Sequence, residues 1–415
     1  MDNISHSVIG LGVGELLHRS LAPEAEPGLQ RTRHRLLLFA CGFASNMPDL
    51  DLFLTGLLPQ PLGYLLHHRG HTHTVLFALP QALLLLALIW LLWPGARALL
   101  RVSRSARLGL GAALALGFGL HLAMDFLNSY GLHPFYPLNA GWFYGDMVFI
   151  VEPLFWTAFG VPLALVMPRP ALRALALAGL GAALCFFTVQ GFLGWMSAAA
   201  LLLVGLAVGA LAWRARGRAA LLLAGALCMG FIGVQGAASA LGKQRVRAGL
   251  TELAGADPGA RVLDVALTAY PSQPLCWAFV SVESDEGADR YRLRRGILSL
   301  APDWLAPSAC APGLAQPGAR HAHHPLAPGM ALEAEFSGGL AALRRLERDN
   351  CHVAAWLRFA RAPAVGPAEA SDLRFSNTLK TDFSTLHLTQ VAGRACPLHV
   401  PGWGALRRDL LTPPL

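Results

Sequence analysis

Histidine side chains are concentrated in one short segment of this chain. Residues 67–74 read HHRGHTHT, with four histidines within seven residues, and a long apolar run follows directly. Ionisable side chains are costly at membrane depth and usually serve a function there. Imidazole nitrogens combined with carboxylate oxygens suit zinc, manganese or iron. The segment therefore raises the question of a metal site at the mouth of a membrane helix.

Four further segments supply carboxylates and three more histidines. They are MDNISHSVIG with His6, MPDLD with Asp49 and Asp51, HLAMDFLNSYGLHP with His121 and Asp125, and GDMVFIVEP with Asp146 and Glu152. The spacing of four between His121 and Asp125 stacks both side chains on one helix face, where they can hold the same cation. Several such ligands can bind two metals, which clamp the attacking and leaving oxygens of a phosphoester.

Each segment also has a simpler interpretation. A hydrogen bond between His121 and Asp125 would satisfy both groups without a metal, and Asp49 with Asp51 follows a proline in a pattern typical of turns. The histidines of a later loop rich in proline and glycine are expected to be solvated; they are His321, His323 and His324.

The composition indicates a membrane protein. The chain has 415 residues, of which 54% are hydrophobic and 14% charged, whereas a soluble domain carries roughly a quarter charged residues. A helix of about 20 apolar residues crosses the hydrocarbon core. We expect membrane spans at residues 74–94, 107–124, 147–167, 174–194, 196–213 and 219–241. The net charge of +8 does not indicate nucleic-acid binding, because much of it lies in short loops between apolar runs.

Two earlier apolar segments are interrupted by polar residues. They lie near residues 4–18 and 36–58. Charged or irregular backbone at membrane depth is tolerated where protein covers it or where it lines a cavity. Residues 1–18 lack the features of a cleaved signal peptide, so we expect them to be retained. The sequence thus predicts a mainly α protein whose residues 1–241 form a polytopic helical membrane domain.

Residues 242–415 have a different character. Runs rich in β-branched and aromatic residues predict strands within 262–300, followed by a loop at about 302–330 and a helix at 338–357. Residues 358–365 and 371–376 are candidates for further strands. The sequence predicts a small soluble C-terminal domain of the α+β or β-rich class. Its four cysteines permit two disulfides in an oxidising compartment, although four free thiols would fit equally.

The arginines predict the orientation in the membrane. Four of them lie in the loop at 95–107, which the positive-inside rule places in the cytoplasm, and the loops near 169–173 and 214–218 agree. Counting the predicted spans from these cytoplasmic loops places the remaining helix ends on the periplasmic or outer face of the inner membrane. These are residues 67–74, residues 121–146 and the C-terminal domain.

The five segments, in their order, resemble the YdjM-like family of LexA-regulated, inner-membrane metal-dependent hydrolases. That family has an N-terminal Asp and Thr-His pair, then L-P-D-x-D, H-R-G-x-T-H-S, H-x-x-x-D with S-Y-G, and D-x-x-F-I-x-D-P. The match covers about residues 1–160. The resemblance implies roles for His6, Asp49, Asp51, His68, His73, His121, Asp125 and Asp146, with Asp2 as a weaker candidate.

This chain departs from the family pattern at four positions. They are Ser5 for Thr, Met47 for Leu, Thr74 for Ser and Glu152 for Asp, and all four changes are mild. His67 and His71 fall outside the matched positions and are interpreted as neighbours of the site.

The leading hypothesis is a membrane-embedded metal-dependent hydrolase of a lipid or lipid-linked phosphoester. One or two divalent metal ions, zinc or manganese, would be held by His6, Asp49, Asp51, His68, His73, His121 and Asp125. Asp125 or Asp146 would act as general base, and Arg69 would pair with a substrate phosphate, bind headgroups or extend to the interface. Membrane lipids are the expected partners. The alternatives are a metal or proton transporter with the same ligands and a non-catalytic protein with a structural metal.

Overall fold

The computed structural model describes residues 1–214, 216–253, 259–310, 324–375 and 382–412. The helices of the membrane part are α1 (Asn3–Ser20), α2 (Pro27–Ala44), α3 (Asp51–Thr55), α4 (Leu62–His67), α5 (Val75–Leu92), α6 (Pro94–Val102), α7 (Arg104–Phe126), α8 (Pro153–Leu165), α9 (Pro170–Val189), α10 (Trp195–Trp213) and α11 (Gly217–Leu253). Short 3₁₀ turns occupy Met47–Leu50 and His71–His73.

Five of these helices are long and apolar enough to cross a membrane: α5, α7, α9, α10 and α11. A sixth candidate is the pair formed by α2 and Met47–Thr55, which is bent by 57°. These helices confirm the predicted membrane protein with a mainly helical N-terminal part. The bend falls at the polar segment around Asp49, where the sequence predicts irregular backbone.

The span predicted at 147–167 differs in the structure. Residues 147–152 are not helical, and α8 has only 13 residues. The helix begins where it does because Glu152 caps it, accepting a hydrogen bond from the Leu154 backbone N–H at 3.1 Å, and Pro153 occupies its first position. α8 is therefore shorter than the candidate membrane spans.

Helices α1, α2 and α7 pack closely through small residues. A Cβ on Gly10 would lie 2.5 Å from the Ser45 Oγ, and one on Gly117 would lie 2.6 Å from the Ala44 Cβ. Because glycine has no side chain, the helix backbones can approach this closely, as is common between membrane helices. This packing sets the distance of α1 and α7 from the polar segment that follows α2.

The C-terminal part contains two antiparallel sheets. The first has the order β1-β2-β3-β5-β4 and consists of β1 (Arg261–Tyr270), β2 (Gln273–Asp285), β3 (Arg290–Ser299), β4 (His324–Ala327) and β5 (Met330–Gly339). The second comprises β6 (Pro363–Val365), β7 (Glu369–Asp372) and β8 (Leu386–His387). The helices here are α12 (Leu340–Asp349), α13 (Cys351–Trp356), α14 (Leu388–Val391) and α15 (Arg408–Leu411).

The predicted α+β or β-rich character of the C-terminal part is confirmed. Much of the predicted loop at 302–330, including His321 and His323, lies outside the described residues. The end of that loop forms β4, and the predicted helix at 338–357 is divided between α12 and α13. Asn350 causes the division, because its side chain accepts hydrogen bonds from the backbone N–H groups of His352 and Val353 and so caps a new helix.

The four C-terminal cysteines form two disulfides. The pairs are Cys276–Cys310 and Cys351–Cys396. The first joins β2 to the turn after β3, and the second joins α13 to the segment after α14. Both bonds lie in the part of the chain predicted to face an oxidising compartment.

The C-terminal part is docked on the membrane part by a long helix and a shared apolar core. Helix α11 continues through the predicted boundary at residue 241, and Val246 and Leu250 are buried in a core with Leu267 and Leu298 of the sheet. A second core joins residues of α4, including Leu65, to α13 and the segment after it. The C-terminal part therefore covers the end of the membrane part that carries α4.

Candidate metal centre

The fold brings the predicted metal ligands into one buried cluster. One ligand atom from each of Asp49, His73, His121 and Asp125 lies within 4.8 Å of the others, and a second group formed by Asp51, His68 and His73 meets the same limit. All of these residues are buried, and the most accessible, His68, is 7% exposed. His73 belongs to both groups, so the cluster can be described as two adjoining ligand sets.

Different elements position these side chains. His121 and Asp125 lie one turn apart near the end of α7, as their spacing predicted. Asp49 lies in the 3₁₀ turn after α2, and Asp51 begins α3. His73 ends a second 3₁₀ turn just before α5. The bend between α2 and α3 therefore places Asp49 near the end of α7 and Asp51 beside His73.

The orientation of His121 suits a metal ligand. Its Nδ1 donates to the Ser45 backbone carbonyl at 2.8 Å, which leaves the Nε2 lone pair directed at the cluster. Metal-binding histidines commonly carry such a bond on the other ring nitrogen. The His121 Nε2 and the Asp125 Oδ2 are buried and have no hydrogen-bond partner among the described residues. These two ligand atoms lie 3.5 Å apart, a separation that fits a bound cation.

His73 is surrounded by carboxylates. Its Nε2 lies 3.1 Å from the Asp49 Oδ1 and 3.3 Å from the Asp125 Oδ2, and its Nδ1 lies 3.4 Å from the Asp51 Oδ2. Burial by itself would lower the pKa of His73, but the close carboxylates of Asp125, Asp49 and Asp51 raise this pKa to about 10. The surroundings of His73 thus favour positive charge.

Asp51 holds the second ligand set together. Its Oδ1 lies 2.9 Å from the His68 Nδ1, and its Oδ2 accepts from the Thr72 hydroxyl at 2.6 Å. The His68 ring stacks on Tyr64 with centroids 5.0 Å apart. Asp51 therefore fixes the ring of His68 in the second ligand set.

His6 lies directly beside the first ligand set. Its ring stacks on His121 at 4.1 Å, and its Nε2 is 3.4 Å from the Asp125 Oδ1. Asp2, the weaker candidate, caps α1 by accepting from the backbone N–H groups of Ile4 and Ser5. All seven residues predicted as metal ligands thus lie in or next to the cluster, whereas Asp2 positions the helix that carries His6.

Arg69 offsets part of the negative charge. Its Nη2 lies 2.9 Å from the Asp125 Oδ1, its Nη1 donates to the Asn128 Oδ1 at 3.1 Å, and the side chain is 2% exposed. The amino group of Met1 also contacts Asp125. The three carboxylates of the cluster thus outnumber these two basic groups.

Asp146 lies outside the cluster. Its carboxylate accepts two hydrogen bonds from the Arg361 guanidinium and lies 2.7 Å from the Lys243 Nζ. Arg361 also contacts Asp264 at 2.7 Å. Burial alone would raise the pKa of Asp264, but the charge of Arg361, and then that of Arg407, lowers this pKa to about 2. These residues form an ionic network between the membrane part and the C-terminal part.

Three other residues near the predicted motifs also serve purposes outside the cluster. Glu152 accepts from the Ser272 backbone N–H at 3.1 Å and so contacts the turn between β1 and β2. The His71 ring packs against Tyr136 and Trp403. His67 is half-buried at the end of α4 and belongs to neither ligand set.

The contacts of Thr72 and Asn128, and that of Arg69 with Asp125, were not predicted from the sequence. Thr72 lies within the histidine-rich segment, and Asn128 follows Asp125 by three residues, so their positions alone could have drawn attention to them. Arg361 gave no such indication, because it lies 215 residues from Asp146 in a segment without a recognised motif.

The apolar helices and the buried His/Asp cluster define a membrane protein with a candidate metal site. Residues 1–196 match the model of the family described as YdjM inner membrane protein. This match confirms the resemblance found from the motifs for that part of the chain. It ends before α11 and the C-terminal sheets.

One curated relative is also similar. Uncharacterized protein YfhP of Bacillus subtilis (strain 168) is 27% identical over 142 residues, which cover 34% of this chain and 39% of the relative. The chain thus spans about two fifths of that relative's length. No solved structure matches the chain significantly.

Proposed function

We propose that this protein is a membrane-embedded metal-dependent hydrolase that acts on a lipid or lipid-linked phosphoester at the outer face of the inner membrane. The observation that carries the proposal is the position of His73 between two adjoining sets of buried carboxylate and imidazole ligands. A divalent ion held there, zinc or manganese, would polarise the phosphoester and supply hydroxide near neutral pH.

In this proposal the first ligand set holds the metal. His121 is oriented by the Ser45 carbonyl, and Asp125 is fixed by Arg69. Removing either orienting contact would loosen a ligand, because partners of this kind hold metal ligands in place. Arg69 therefore acts on Asp125, and pairing with a substrate phosphate is not needed to explain its burial.

The second ligand set provides either a second metal position or a general base. Asp51 accepts from the His68 Nδ1, which leaves the His68 Nε2 as an acceptor. A carboxylate that orients an imidazole in this way favours proton transfer at the opposite nitrogen. We assign the base to this pair rather than to Asp146, whose carboxylate is held by Arg361 and Lys243.

A lipid substrate is supported by the surroundings of the cluster. Beside Asp51, helix α3 and the turn after it expose three large apolar side chains: Phe53 is 77%, Leu54 is 65% and Leu57 is 82% exposed. Exposed apolar groups of this size mark a surface that contacts lipid or another apolar partner. A substrate with its tail in the bilayer would thus present its polar end near the ligands.

A transporter that uses the same ligands is less well supported. Such a protein needs a polar route that leads from the cluster to the opposite membrane face. A second ionisable pair lies towards that end of α1 and α2, with the His34 Nε2 at 2.5 Å from the Glu15 Oε2. Between these sites, a Cβ on Gly10 would meet Ser45 at 2.5 Å and one on Gly14 would meet the Leu37 carbonyl at 2.7 Å. This backbone packing fills the space between α1 and α2.

The experiment that tests the proposal is a screen of phosphoester lipids with the purified full-length protein. Phosphatidate, phosphatidylglycerol and a polyprenyl phosphate would be presented in detergent micelles with zinc or manganese. We expect metal-dependent phosphoester cleavage that is lost in His73→Ala and kept in His34→Ala, whose histidine lies in the distant pair. Turnover that survives His73→Ala would contradict the proposed site.

A further inference from the structure

A cavity of about 310 Å³ lies between the membrane part and the C-terminal part. The membrane side contributes residues from α4 and from the loop between α7 and α8, whereas the C-terminal side contributes residues of β1, β2, β3 and β5 and the segments on either side of 376–381. The volume corresponds to roughly ten water molecules at about 30 Å³ each. It is large enough for a polar group of several heavy atoms.

The cavity adjoins the candidate metal centre. Tyr64, which lines it, stacks on His68, and the Tyr130 ring lies 5.9 Å from the His68 ring. Asn128, a third lining residue, accepts from Arg69, which in turn contacts Asp125. A molecule in the cavity would therefore lie one side chain away from His68 of the second ligand set and two side chains, Asn128 and Arg69, away from Asp125 of the first.

Two polar groups of the cavity wall lack partners. The Tyr130 Oη and the Asn128 Nδ2 have no hydrogen-bond partner among the described residues, and each side chain belongs to a residue only 4% exposed. A buried polar group without a partner costs about 1–3 kcal/mol. A ligand that hydrogen-bonds both groups would remove this cost.

The charged groups of the wall are already paired. Arg295 lies 3.4 Å from Glu333, and Arg374 lies 2.7 Å from Asp372. Aromatic rings cover part of the remaining wall, with Phe375 and Phe383 at 4.7 Å from each other. Paired charges, free hydroxyl and amide donors and aromatic faces suit a neutral, hydroxyl-bearing group better than a second anion.

We propose that this cavity is the substrate chamber of the metal centre and that it binds the hydroxyl-bearing head group, a polyol or a sugar, of the phosphoester. The inference rests on the proposed function, because it assigns the phosphate to the metal ligands. It goes beyond that function by making the C-terminal sheet one wall of the chamber. Tyr130 and Asn128 bind the head group, and the sheet limits its size.

Binding of two phosphonates to the zinc-loaded full-length protein tests the chamber. Methylphosphonate carries only the anion, whereas 3,4-dihydroxybutylphosphonate adds a diol, and neither has a phosphoester bond to hydrolyse. By isothermal titration calorimetry we expect the diol to bind about tenfold more tightly, as two new hydrogen bonds of ordinary strength would produce. Equal affinities in the unsubstituted protein would overturn the proposal.

Two variants test whether the preference for the diol arises in the chamber. Tyr130→Phe should reduce the preference for the diol by about two- to tenfold, and Ala278→Phe, which fills the chamber from β2, should abolish it. Methylphosphonate affinity should stay unchanged in both, which also shows that the variants are folded. Tyr136→Phe, outside the cavity, is the matched control. A diol preference that survives both variants would overturn the chamber.

The outcomes separate this inference from the proposed hydrolase. A diol preference that depends on Tyr130, in a protein that cleaves none of the tested phosphoesters, would support the chamber and contradict the hydrolase. Phosphoester cleavage without any diol preference would support the hydrolase and contradict the chamber.

Discussion

The guanidinium of Arg361 donates two hydrogen bonds to the carboxylate of Asp146, at 2.9 and 3.0 Å. Asp146 belongs to the loop before α8, whereas Arg361 follows α13 in the C-terminal part, and both side chains are buried. The pair connects the two parts of the chain next to the candidate metal centre. Asp146, which the sequence predicted to act in catalysis, thus belongs to the contact between the two parts through its pairing with Arg361.

Replacement of Arg361 by Ala should destabilise the protein. Among the described residues, the change leaves Lys243 as the remaining cation in contact with the buried Asp146 carboxylate. Because Lys243 remains, we expect the free energy of unfolding to fall by about 3 kcal/mol, the lower end of the range for broken buried ion pairs. Denaturant unfolding followed by tryptophan fluorescence measures the change.

The control for this experiment is Arg345→Ala, which alters an exposed arginine on α12. It should change the free energy of unfolding by less than about 0.5 kcal/mol. Equal effects of the two substitutions would show that the contact between Arg361 and Asp146 does not stabilise the domain arrangement.

Replacement of Gly117 by Ala should disturb the metal site from a distance. A Cβ at this position would meet the Ala44 Cβ at 2.6 Å and force α7 away from α2. His121 lies one turn further along α7 and would move with it. We expect metal affinity to fall by about tenfold or more, as when a group that orients a ligand is lost.

Gly119→Ala is the matched control, because a Cβ there meets no heavy atom within 4 Å. Equilibrium dialysis against zinc with both variants measures the affinities. If Gly117→Ala binds zinc as tightly as Gly119→Ala, the close packing of α7 on α2 does not position His121.

Thiol counting should reveal two disulfides. The chain has seven cysteines, and the structure leaves Cys41, Cys185 and Cys228 free. After denaturation without reductant, we expect three thiols to react with a maleimide, and all seven after reduction. Mass spectrometry counts the additions, and seven reactive thiols before reduction would contradict the disulfides and the oxidising compartment.

The orientation in the membrane can be tested by cysteine labelling. In a Cys185→Ser background, Glu286→Cys in the C-terminal part should react with a membrane-impermeant maleimide on intact spheroplasts. Arg31→Cys, near the start of α2, should react only after permeabilisation, because α2 runs from that end towards the candidate metal centre. The reverse pattern would contradict the orientation derived from the positive-inside rule.

Local patterns predicted much of the candidate site. The spacing of His121 and Asp125 is a property of one helix, so their shared face follows from the sequence alone. The polar break around Asp49 and Asp51 correctly indicated irregular backbone, because charged groups interrupt an otherwise apolar run. The motif order also predicted the family match, over about residues 1–160 of the matching residues 1–196.

Contacts between distant segments could not be predicted in this way. The partner of Asp146 is Arg361. Arg361 lies in the candidate strand at 358–365, where no local pattern indicates a buried ion pair. The start of α8 was also misjudged, because the apolar run at 147–167 does not show that Glu152 caps a helix and contacts Ser272. These features depend on how the C-terminal part docks on the membrane part. Local sequence patterns carry no information about that docking.

Metal analysis of the purified protein tests the central claim most directly. Inductively coupled plasma mass spectrometry should find at least one zinc or manganese ion per chain in the unsubstituted protein. His121→Ala and Asp125→Ala should each lose most of this metal, because each removes a ligand atom of the first set. His34→Ala, which alters the distant pair with Glu15, should retain it. A protein without metal, or an unchanged metal content in both His121→Ala and Asp125→Ala, would contradict the account.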